Sequence, residues 1–99
     1  MGAPTHASLA TFRIDLTREA EQRPVLDSVI VPGVMGAPGV LSGTWTVDRS
    51  SGESLVLITY SSLEAAEAMA ENIRGNAENQ MASGLELVSV RILEVAASG

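Results

Sequence analysis

The chain contains no cysteine and no lysine, a single histidine and three aromatic residues among its 99. Without cysteine there are no disulfides and no thiolate metal ligands. With His6 as the sole imidazole, a transition-metal site would have to be built mostly from carboxylates. Glu64, Glu67 and Glu71 recur at helical spacing, but a solvated acidic face near a helix start accounts for them. The basic residues are six scattered arginines (Arg13, Arg18, Arg23, Arg49, Arg74, Arg91) against twelve Asp and Glu, a net charge of −6. Nucleic-acid binding requires clustered basic side chains that displace counterions, so no nucleic-acid partner is expected. No apolar run approaches the roughly 18 residues of a membrane span. Met1 to His6 has neither a basic start nor an apolar stretch, so no signal peptide is read there, and a cytoplasmic protein is expected.

Catalytic signatures are equally sparse. No serine stands in a Gly-x-Ser-x-Gly elbow, and no histidine is placed to activate one. Gly33, Gly36 and Gly39 are spaced by three. They follow a helix instead of linking a strand to a helix N-terminus, so they are turn glycines and not a phosphate loop.

What is present is a globular balance, 45% hydrophobic and 18% charged. The length predicts one domain over residues 1–99, with an ordered core over about 7–95. Alternation of Ala10, Phe12, Ile14 and Leu16 against Leu9, Thr11 and Arg13 predicts a first strand over 7–16. A first helical region over 17–35 carries Val25, Leu26, Val29 and Ile30 on one stripe, with Thr17 as its cap. Pro24 and Pro32 predict that this helix is broken and ends near Gly36. Strands follow over 40–48 and 54–60, joined by a short loop. Ser61 and Glu64 have capping-box spacing, and a second helix runs from there to Gly84 with Leu63, Ala66, Met69, Ala70, Ile73, Ala77 and Met81 on one face. A last strand covers 85–95. Asn72, Asn76, Asn79 and Gln80 share one side of the second helix, read as a solvated face.

The order strand-helix-strand-strand-helix-strand predicts a ferredoxin-like α+β fold with a four-stranded antiparallel sheet. Two right-handed crossovers place both helices on one face. Yet the third and last strands are apolar on both faces. The last is read with Val88, Val90 and Ile92 on one side and Leu85, Leu87, Leu93 and Val95 on the other. The uncovered face predicts a homodimer through the sheet. Arg13 and Arg91, mid-strand between apolar neighbours, call for acidic partners across the dimer or for an anionic ligand, with the pairing favoured.

Val29-Ile30-Val31-Pro32, then Ala37-Pro38-Gly39-Val40-Leu41-Ser42-Gly43-Thr44-Trp45, is a helix ending in a Pro-Gly turn before a strand with Gly-x-Trp. Together with the Tyr60-Ser61-Ser62 step into an alanine-rich helix, it resembles the dimeric α+β barrel superfamily, nearest its antibiotic-biosynthesis-monooxygenase-like members. The resemblance implies a dimeric α+β barrel with a small-molecule pocket between sheet and helices. Haem-degrading members use an asparagine, a tryptophan and a histidine where this chain has Phe12, Tyr60 and Ala70. No cofactor is therefore expected. Two functions remain: a cofactor-free monooxygenase acting on a hydrophobic or aromatic substrate, or a non-catalytic binding or assembly module. Trp45, Tyr60 and Phe12 are the candidate ligand-binding residues. Trp45 and Tyr60 are amphipathic aromatics that suit a pocket wall as well as a core.

Overall fold

A computed structural model describes residues 3–98. The strands are β1 (His6–Ile14), β2 (Val40–Trp45), β3 (Glu53–Tyr60) and β4 (Leu85–Glu94). They form one sheet in the order β2-β3-β1-β4, and every neighbouring pair is antiparallel. This is the predicted ferredoxin-like arrangement. Residues directly opposite one another project from the same face. Ala10 lies between Val56 and Val90, and Ser8 between Ile58 and Ile92, on the face that meets the helices.

Helices α3 (Leu63–Gly75) and α4 (Ala77–Ala82) cover part of that face. Ser62, one residue beyond the predicted Ser61, caps α3 by accepting the Ala65 N–H at 3.2 Å. Ser61 instead donates its backbone N–H to Gly39 O at 2.9 Å. The alanines Ala66 and Ala70 let the helix approach the strands closely, and both are buried with Ala10, Val56, Ile58, Tyr60 and Val90. The predicted continuous second helix breaks at Asn76, whose ψ of 9° is not helical. Met81, set on the predicted apolar stripe, is consequently 57% exposed.

The first helical region is broken, as its prolines require. Asp15, not the predicted Thr17, caps a 3-10 turn over Leu16–Arg18, accepting the Thr17 N–H at 3.0 Å. Helix α1 (Glu19–Val25) follows, then a π-helical segment (Leu26–Ile30) and α2 (Val31–Met35). Pro32 lacks an N–H, and its ring crowds the carbonyl four residues back at Ser28. The chain widens at that point, and the Val31 N–H reaches Leu26 O, five residues back. Helix α1 packs on the adjoining turns and not on the sheet, while α2 leans on β2. The region from Glu19 to Met35 is thus a strap held at its ends.

The predicted faces of β4 require correction. Thr11 pairs with Ser89 but Phe12 pairs with Leu87, so Val88 is an extra, bulged residue. A one-residue slip reverses every side chain beyond it. Leu85 and Leu87 therefore join Val90 and Ile92 on the helix face, and Val88 is 51% exposed. The outer face keeps Leu9, Leu57, Leu55 and Leu93 among threonines and charged residues, a smaller apolar patch than predicted.

Candidate functional site

Because the strap stands off the sheet, a cleft of about 1480 Å³ opens beneath it. Ala10, Phe12, Trp45, Val56 and Ile58 floor it, Val25, Val29 and Val34 come from the strap, and Ala65, Met69 and Ile73 from α3. The pattern follows from chain geometry: alternate strand residues supply the floor, and every third or fourth helix residue supplies the wall.

The candidate residues separate here. Phe12 and Trp45 both border the cleft, and both are only partly buried. Tyr60 does not border it. Its side chain has no exposed surface, and its phenol hydrogen-bonds Ser8 Oγ at 2.6 Å inside the core. Burial pushes the Tyr60 phenol above its ordinary value, partly opposed by the Ser8 hydrogen bond. The indole of Trp45 lies over Gly43. A Cβ on Gly43 would come within 2.7 Å of the ring, and Met35 Sδ would lie 3.6 Å from it. Glycine at this position is what allows the indole to lie flat on the strand.

Charged groups bordering the cleft come largely from the strap and are paired among themselves. Arg18 contacts Glu21 at 3.1 Å, and Glu19 contacts Arg23 at 3.3 Å and Arg49 at 2.8 Å. The Arg49 guanidinium, hydrogen-bonded to Glu19, holds that carboxyl below the usual carboxylate range. His6 lies in β1, hydrogen-bonded through Nδ1 to Thr5 Oγ1 at 2.9 Å, and is not part of the lining. No histidine, lysine, cysteine or tyrosine stands among the described residues that border the cleft.

The four amides read from sequence as a solvated face also border the cleft; Asn72, Asn76 and Asn79 are exposed, as that reading expects, and Gln80 is half-buried. Asn76 Nδ2 donates to Asn72 O at 2.9 Å where the helix breaks. Their clustering on one helix side was the available signal. Solvent and cleft cannot be told apart by periodicity, because both favour polar residues.

No protein-family model and no curated protein matches the sequence. Several solved structures share its shape. MupZ from Pseudomonas fluorescens aligns with a TM-score of 0.70 at 13% identity over 91% of this chain and 71% of its own. A dimeric ferredoxin-like protein from an uncultured marine organism aligns with a TM-score of 0.68 at 10% identity, over 96% and 97% of the two chains. A monooxygenase of Streptomyces coelicolor, in complex with nanaomycin D, aligns with a TM-score of 0.62 at 15% identity, over 97% and 89%. At such identities the likeness concerns fold and not chemistry. By strand order and by these neighbours, the chain has a ferredoxin-like fold.

Proposed function

We propose that the cleft binds a flat, hydrophobic aromatic molecule and that the chain acts on it as a cofactor-free monooxygenase. The observation that carries this reading is the cleft itself. Its floor is apolar, Phe12 and Trp45 flank it, and no histidine, lysine, cysteine or tyrosine stands among its described lining. A protein of this kind contributes positioning and exclusion of water, while the substrate supplies its own reactivity. An electron-rich anthrone carries an acidic proton on its ring CH2. Its anion reduces O2 directly: the ring CH2 becomes a ketone with one oxygen atom, and the other leaves as water. Phe12 and Trp45 are the contacts in this reading, and Tyr60 holds the core beneath them. The monooxygenase structure in complex with nanaomycin D lends support by fold. We further propose that two copies pair through the outer face of the sheet, where Leu55 and Leu57 are 39% and 42% exposed.

An oxygen electrode tests the reading. Anthrone should consume one O2 per molecule converted to anthraquinone, at a rate proportional to protein concentration and lowered by Trp45→Ala. Quenching of Trp45, the sole tryptophan, without oxygen uptake would leave the chain a binding module that holds such ligands without transforming them.

A further inference from the structure

Among the described residues, one buried side-chain polar atom has no hydrogen-bond partner: Gln80 Oε1. A buried acceptor without a donor is costly and is uncommon in folded proteins. Three side-chain donors that border the same cleft already have other partners. Arg18 Nη1 donates to Ala82 O at 3.3 Å and Gln22 Nε2 to Ser83 O at 2.9 Å, while Asn76 Nδ2 is taken by Asn72. Gln80 borders the cleft. The last torsion of a glutamine side chain is broad, so a small rotation presents the amide to whatever fills the space beside it.

We propose that Gln80 is the polar anchor of the cleft and that the occupant is a phenol whose hydroxyl donates to Gln80 Oε1. This rests on the reading of the cleft as an aromatic-ligand site, and it narrows the ligand class. Gln80 sits on α4, which packs on β4 at one edge of the sheet, whereas Trp45 lies on β2 at the other. Strands are about 4.8 Å apart, so three steps separate the two edges by roughly 14 Å. Fused rings lying across β1 and β3 with a hydroxyl on the edge far from Trp45 reach both. A hydrocarbon of the same shape fills the floor but leaves the amide unpaired. Hydroxylated and unsubstituted ring systems should therefore be told apart at this one residue.

Gln80→Met, close in length and without the amide, tests the assignment in two ways. The first needs no ligand: removing an unsatisfied buried acceptor should raise the Tm of the free protein, and a lowered Tm would overturn the proposal. The second is a matched pair, 2-hydroxyanthraquinone and anthraquinone, titrated against Trp45 fluorescence. The wild type should bind the hydroxylated compound about tenfold more tightly. Gln80→Met should erase that preference and leave anthraquinone affinity unchanged. Equal binding of the pair by the wild type, or a preference that survives Gln80→Met, would overturn the anchor while leaving the aromatic site standing. If neither compound quenches Trp45, the aromatic site fails and the anchor with it.

Discussion

Tyr60 is the one tyrosine of the chain and is fully buried, so its titration can be followed alone and in the core. Burial raises its phenol pKa. A folded-state pKa above the unfolded one means that the unfolded chain gives up the proton first. The stabilisation is complete below about pH 10 and is lost as pH rises through the folded value. Near-ultraviolet absorbance should show the native phenol ionising at a higher pH than the phenol of the unfolded chain, and urea midpoints should fall as pH rises through that transition. Tyr60→Phe should flatten that decline. It should also cost about 1–3 kcal/mol at neutral pH, because buried Ser8 loses its partner. A native phenol titrating at the ordinary tyrosine value would contradict this account. That Tyr60 belongs to the core was not legible in the sequence, because its buried partner Ser8 lies 52 positions away.

At the scale of elements, what the sequence expresses locally was legible. Period-two alternation located β1 and a continuous apolar run located β3, each to within a residue or two, and two prolines foretold the broken strap. What depends on partners was not. The β4 bulge arises where Phe12 meets Leu87 across the sheet, and nothing in residues 85–94 alone announces it. The stand-off of the strap was hidden too, since Val25 and Val29 repeat at the spacing of a packed helix yet are 48% and 62% exposed. Glu19 holds the start of this strap through the bidentate Arg49 contact at 3.1 and 2.8 Å. Arg49→Ala should speed hydrogen exchange over 19–35 while the β3 amides stay protected, and equal acceleration in both would show that the tether is not local. The Glu19 carboxyl is lowered in the folded state. Its contribution is therefore present above the ordinary carboxylate pKa and lost as pH falls through the lowered value. Acid should loosen the strap in the same exchange experiment, and added salt should weaken the tether.

For the whole molecule, the outer face of the sheet sets the association state we propose. Leu57 sits at its centre, beside Leu9 on β1. Light scattering should give twice the chain mass of 10.3 kDa. Leu57→Arg should return the single-chain mass without unfolding, because the side chain is already 42% exposed. A wild type at 10.3 kDa would end the dimer proposal. The bulge at Val88 has a further consequence, for insertions and deletions. Strand β4 is written in two reading frames, one on either side of that residue. Excising Val88 would remove the extra residue and leave one regular alternation, with Leu85, Leu87, Val90 and Ile92 still on the helix face and Glu86, Ser89 and Arg91 outward. Replacing Val88 with threonine would leave both frames intact. A Val88 deletion, like Val88→Thr, should stay in the supernatant of an expression culture, and a deletion variant found only in the insoluble fraction would show that the bulge itself is required. At this position the strand can therefore lose one residue without turning any paired side chain over.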